Sequence, residues 1–177
     1  MQTNQNKYWH LAETDEEVKV SELEFVLWRV VYGFLRWQED CTSHVTGITL
    51  TGDDIAALHI IRMKNRPKTV YEVAQLLNRS DIPNVQYSIK KLLKLALIEK
   101  AKNPIKKAIA YQLTPLGVKD TDAYTKARKE LFLKLFLKEI NLDEAEKATT
   151  LLMRLKNIYE EASMLSASYT YKDSEQK

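Results

Sequence analysis

Glycine and proline are scarce here, with four of each in 177 residues. So few turn formers exclude a loop-rich chain and suit one built mostly from helices. Cysteine is scarcer still. The single Cys41 rules out an internal disulfide, and with it a disulfide-stapled secreted scaffold. No long apolar run occurs either, because FVLWRVVYGFL is interrupted by Arg29 and is too short to span a bilayer. The polar start MQTNQNKYWH lacks the apolar core of a signal peptide, so the expectation is a soluble, cytoplasmic protein. Charge of one sign is lacking as well, since the net value is only +3.

What is present is 45% apolar residues, enough for a core, and an uneven spread of charge. From Arg79 to Lys107 there are eight basic residues and two acidic ones, a local +6 that leaves −3 for the remainder. Such a basic block suits an anionic polymer, although a merely solvated lysine face has the same signature.

Residues 1–19 are polar and read as an N-terminal arm containing ETDEE. From Val20 to about residue 44, Leu23, Val26, Leu27, Val30, Val31, Phe34 and Leu35 recur at helical spacing. Phe25, Trp28, Tyr32 and Trp37 widen that face, which predicts a helix buried on several sides between two subunits. Thr51 and Asp54 have the spacing of a helix cap, and KNRPK ends the helix they start. TVYEVAQLL gives a short third helix, and the tight NRSD turn after it marks a helix-turn-helix candidate.

The helix after that turn lies in SDIPNVQYSIKKLLKLALIEK, Ser80 to Lys100. Val85, Ile89, Leu92, Leu93 and Ala96 point one way at about 100° per residue. Pro83 fits its first turn, where a missing N–H costs no bond. The other side carries Asn84, Tyr87, Lys90, Lys91 and Lys94, flanked by Gln86 and Ser88. Amides can pair with base edges, phenols and lysines with phosphates, so this face reads as a groove-binding surface. LIEKAKN and AIAYQLT then predict a two-stranded wing around Pro104, with Lys106 and Lys107 at or near its tip. Thr114 and Pro115 start a long helix, Asn141 and Glu144 start the last one, and residues 169–177 form a polar tail.

LTGDDIAALHII, TVYEVAQLL, IKKLLKLALIEK, YQLTPLG and NLDEAEKATTLLMRL follow each other in an order that resembles the MarR family of bacterial transcription regulators. The resemblance implies a mostly α fold with a small β-wing. A winged helix-turn-helix at residues 45–114 would lie between dimerisation helices at 20–44 and 115–168. It further implies a homodimer, a repressor in this reading, bound to palindromic double-stranded DNA. The residues expected to touch DNA are Asn84, Gln86, Tyr87, Ser88, Lys90, Lys91, Lys94, Lys102, Lys106 and Lys107. The family's wing usually carries an Asp-Arg-Arg run, which only Lys106 and Lys107 match here, so these two are expected to meet phosphate rather than read a groove. The family also implies a small aromatic or anionic ligand, for which Trp28, Tyr32, His59 and Arg62 are the candidate pocket residues.

Other chemistry has little support. The histidines His10, His44 and His59 are far apart, and no phosphate loop, nucleophile elbow or HExxH occurs, so the chain is not read as an enzyme. Cys41 and His44 supply two ligands where zinc needs three or four, and no metal or cofactor is expected. The competing reading is a winged helix used only to bind another protein. That role predicts carboxylates or exposed apolar residues on the face of Ser80–Lys100, and the sequence places neither there.

Overall fold

The computed structural model describes residues 10–101 and 108–169. They divide into two compact units, Met1–Arg128 and Lys129–Lys177. Among the described residues no helix is long and apolar enough to cross a membrane.

The first unit opens with α1, Asp15–Thr46. It starts five residues before the expected Val20, because ETDEE is a helix start rather than an arm. Thr14 accepts from the Glu17 amide while the Glu17 carboxylate accepts from the Thr14 amide. Gly47, at φ 72°, ends the helix in the left-handed region. The predicted Thr51–Asp54 box is present and starts α2, Gly52–Arg62. A short 3-10 turn and two left-handed residues, Lys64 and Asn65, reverse the chain into β1, Lys68–Thr69. Thr69 caps α3, Val70–Leu76, and after the turn comes α4, Ile82–Lys94, with Pro83 in its first turn.

The wing strands are β2, Ile98–Ala101, and β3, Ala110–Leu113, paired antiparallel with Ile98 opposite Leu113. The sequence reading did not include β1, which lies on the other edge of β3 with Lys68 opposite Tyr111. A two-residue strand carries no alternating pattern from which to infer it. Residues 102–107 lie outside the described residues. Thr114 then caps α5, Pro115–Ala127, as its sequence predicts.

The core lies among α2, α3, α4 and the sheet. Ile55, Ile61, Val73, Ile89, Leu92 and Leu97 are almost fully enclosed there. Two further features hold it. The Lys68 side chain is buried and donates from Nζ to the carbonyls of Ile61, at 3.0 Å, Arg66, at 3.1 Å, and Met63. One ammonium thus satisfies carbonyls that the end of α2 leaves open. Gly117 brings the first turn of α5 against the wing base, since an added Cβ would stand 2.0 Å from the Leu97 oxygen. The Thr114 amide and hydroxyl bind the same carbonyl at 3.1 and 3.3 Å.

The second unit holds the end of a π-helical segment, Arg128–Leu133, then α6, Lys134–Glu139, and α7, Leu142–Ser166. The long helix expected from Thr114 is therefore interrupted at 128. Asn141 and Glu144 form the expected cap of α7, and neither α6 nor α7 contains a buried residue.

Lys68→Met keeps the stem and removes the ammonium, leaving three carbonyls unpaired. The expected loss is about 2–4 kcal/mol in urea unfolding, and a change below about 0.5 kcal/mol would contradict the role given to Lys68. Gly117→Ala forces α5 off the wing base. It should cost at least about 1–3 kcal/mol and broaden the amide resonances of Leu97 and Thr114.

Candidate nucleic-acid interface

α4 is two-sided in a way that follows from its spacing. Val85, Ser88, Ile89 and Leu92 are buried against α2 and α3, while Pro83, Asn84, Gln86, Tyr87, Lys90 and Lys94 are exposed. Tyr87 stands 70% exposed. Five of the seven helix residues named from the sequence are therefore brought to one accessible surface. Lys102, Lys106 and Lys107 lie outside the described residues.

Ser88 and Lys91 go elsewhere. Ser88 is only 4% exposed and cannot stand on the outer face. Lys91 reaches inward to α2, where its Nζ lies 2.6 Å from Asp54 Oδ2. Asp54 is 1% exposed, and burial alone would raise its pKa. Lys91, the Thr51 amide and hydroxyl, and Ser88 outweigh that and hold it below the usual aspartate range. The two residues expected at the outer face thus tie α4 to α2. Periodicity missed this because a side chain as long as lysine can turn back from the edge of its face.

The turn before α4 is braced by a chain of ion pairs. Asn78, at φ 56°, carries the backbone round, and the Arg79 amide donates to the Ala74 carbonyl at 2.9 Å. Arg79 Nε donates to Asp81 Oδ1 at 2.8 Å, its Nη2 to Asp81 Oδ2, and its Nη1 to Asp53 at the start of α2. Asn84 Nδ2 donates to the same Asp81 Oδ2 at 2.8 Å. The forked Arg79 contact and then Asn84 hold the Asp81 carboxyl well below the usual range. The sequence reading counted Arg79 only as charge. The visible signal was Arg-x-Asp followed by Asn three residues on, at a helix start.

The four candidate pocket residues are not gathered in one place. Trp28 and Tyr32, one turn apart on α1, are 59% and 69% exposed. Arg62 donates to the Val118 carbonyl at 3.2 Å, to Thr121 and to Asp122, which fastens α2 to α5. His59 lines a recess between α1, α2 and α5 with Thr42, Asp120, Thr121 and Tyr124, its ring 4.7 Å from that of Tyr124. Burial, then the Arg62 charge, lowers the His59 pKa, so the ring is neutral at pH 7. Nearby Thr42 Oγ1 and Asp120 Oδ2 are buried without a hydrogen-bond partner, as is Gln38 Oε1. Among the described residues, no three His, Cys, Asp or Glu side chains converge as a metal site would need.

Residues 50–117 match the family model described as a winged helix DNA-binding domain. No curated protein matches the chain by sequence. Solved structures do match in fold. A MarR family transcription regulator has a TM-score of 0.66 at 17% identity, over 84% of this chain and 95% of that one. A MarR family regulator from Neisseria meningitidis gives 0.66 at 16% identity, over 84% and 98%. The DNA complex of S. aureus MepR gives 0.63 at 16% identity, over 77% and 95%. At such identities the likeness is one of fold. With α4 as the second helix of a helix-turn-helix, residues 50–117 are similar to the winged helix DNA-binding domain, and the chain has the fold of the MarR family regulators it matches.

Proposed function

We propose that the chain is a sequence-specific DNA-binding transcription regulator acting as a homodimer on a palindromic site, in the simplest mode as a repressor. The observation that carries this reading is the outer face of α4. Within Ile82–Lys94 it offers two amides, a phenol and two lysines and no exposed carboxylate or large aliphatic side chain, and the carboxylate before it, Asp81, is taken up by Arg79 and Asn84. Asn84, Gln86 and Tyr87 occupy the front of the helix, which a recognition helix directs into the major groove. Lys90 and Lys94 lie further back, toward the phosphates, and Lys102, Lys106 and Lys107 of the wing are assigned the same partner. A protein-docking winged helix would show a different face. The fold shared with a structure of MepR on DNA adds support.

A second copy of the chain is the proposed partner for the apolar surface. Val20, Val26, Trp28, Val30, Tyr32 and Phe34 on α1 are 51–69% exposed. In the second unit Leu135, Leu142, Met164 and Leu165 are 64–71% exposed. Exposed apolar surface on this scale marks an interface. A small ligand is proposed for the recess beside His59, where buried oxygens lack partners, but the recess would have to widen because its present volume of about 10 Å³ holds only one water. Arg62 is committed to α5, so hydrogen bonding rather than an anionic group would hold that ligand.

Sedimentation at low micromolar concentration should give about twice the chain mass, with a melting temperature that rises with protein concentration. A well-folded monomer would contradict the dimer. The lysines of α4 should separate in a salt titration followed by fluorescence anisotropy. Lys90→Ala and Lys94→Ala should weaken binding on every duplex and flatten the salt dependence, by about 0.9 in slope per lost contact. Lys91→Met should leave that slope unchanged. It should instead lower stability by about 1–3 kcal/mol, less than a fully buried pair because Lys91 keeps some water. Equal slope changes for all three would show that Lys91 also meets phosphate.

A further inference from the structure

We infer that Asn84 reads an exocyclic base amine, and that Asp81 and Arg79 are the positioning residues that fix which end of its amide faces the DNA. The inference rests on the DNA-binding reading above. A free asparagine carboxamide has an acceptor at one end and two donors at the other, and it can turn over to suit either kind of base edge. Here it cannot turn over freely. Asn84 Nδ2 donates to Asp81 Oδ2 at 2.8 Å. Reversal would press Oδ1 against a carboxylate oxygen, an acceptor against an acceptor.

Asp81 is itself held. Its two oxygens take the Nε and Nη2 donors of Arg79, whose Nη1 is anchored on Asp53 of α2. The four side chains Asp53, Arg79, Asp81 and Asn84 therefore form one chain from α2 to the first turn of α4. It ends with Oδ1 of an exposed asparagine turned away from the carboxylate. With Asp81 kept ionised, protonation does not release the amide in the neutral range.

The consequence for base choice is definite. In the major groove only adenine N6 and cytosine N4 donate, while guanine offers N7 and O6 and thymine O4, all acceptors. An Asn84 presented through Oδ1 pairs with adenine or cytosine and disfavours guanine, because donating to guanine N7 would set Oδ1 against O6, acceptor against acceptor. Its second amide hydrogen can reach adenine N7, which ranks adenine first.

The test is selection from a random duplex pool with the parent protein, Asn84→Ala and Asp81→Asn. The base pair whose preference is lost in Asn84→Ala is the one Asn84 reads. There the parent should require adenine or cytosine, and Asp81→Asn should admit guanine while other positions keep their preferences. A second measurement uses the parent alone. Replacing the selected adenine with purine, or cytosine with pyrimidin-2-one, removes the amine and should weaken binding about tenfold. Guanine or thymine at that position in the parent, an unchanged preference in a folded Asp81→Asn, or no loss with the amine-free base would overturn the inference and leave DNA reading intact. A parent that selects no sequence at all would overturn both. Should Asp81→Asn not fold, the amine-free bases decide alone.

Discussion

The placement of the outer face depends on one buried carboxylate. Asp54 accepts from the Thr51 amide at 3.0 Å and from Lys91 at 2.6 Å, with almost no access to water. A carboxylate so enclosed is tolerable only when its oxygens are taken up by donors. Both sets of donors are structural, one starting α2 and the other arriving from α4. The pair therefore sets the rotation of α4 about its own axis. A different rotation would strand Asp54 without its lysine, and the same rotation brings Asn84, Gln86, Tyr87, Lys90 and Lys94 outward. Asp53, the next residue, is exposed and anchors Arg79. Two neighbouring aspartates thus fix both the last turn and the entrance of one helix.

Burial is unevenly shared between the parts of this chain. The core around Ile55, Val73, Ile89 and Leu92 is closed to water by elements of the first unit alone. In α1 only Ser21, Gln38, Cys41 and Thr42 are buried, while nine large apolar residues between Val20 and Phe34 remain open. Helix propensity and a capping box can start such a helix, but packing of its apolar face normally maintains it. Among the described residues of the first unit, most large apolar side chains of its front half stay exposed. α7 likewise has 25 residues and none buried. Specificity in the core and adhesion at the ends are therefore separate physical problems in this protein, solved by different residues.

Much of this was readable from the sequence. The caps at Thr51, Thr114 and Asn141 are local, since a side-chain oxygen meets an amide three residues away, and their spacing states them directly. The buried side of α4 is equally local, because Val85, Ile89 and Leu92 repeat with the helix. What could not be read depends on contacts distant in sequence. Lys91 meets Asp54 across 37 residues and Arg62 meets Thr121 across 59. Lys68 satisfies the end of a helix that precedes it, a role with no period. The early start of α1 was a different failure: polarity was read as absence of structure, although Thr14 and Glu17 stand at box spacing.

These internal pairings change the meaning of the basic block. Of its eight positive residues, Arg79 is neutralised by Asp53 and Asp81, and Lys91 by Asp54. What α4 itself presents outward is Lys90 and Lys94, one helical turn apart. An electrostatic grip grows with the number of phosphates neutralised and is indifferent to sequence. For the DNA partner proposed above, drawing two cations inward thus lowers the sequence-independent share of binding on this helix. The amides at its front then carry a larger part of any discrimination. The remaining lysines of the block are Lys100, in β2, and Lys102, Lys106 and Lys107, which lie outside the described residues. On the DNA-binding reading proposed above, α4 is therefore suited to reading more than to holding.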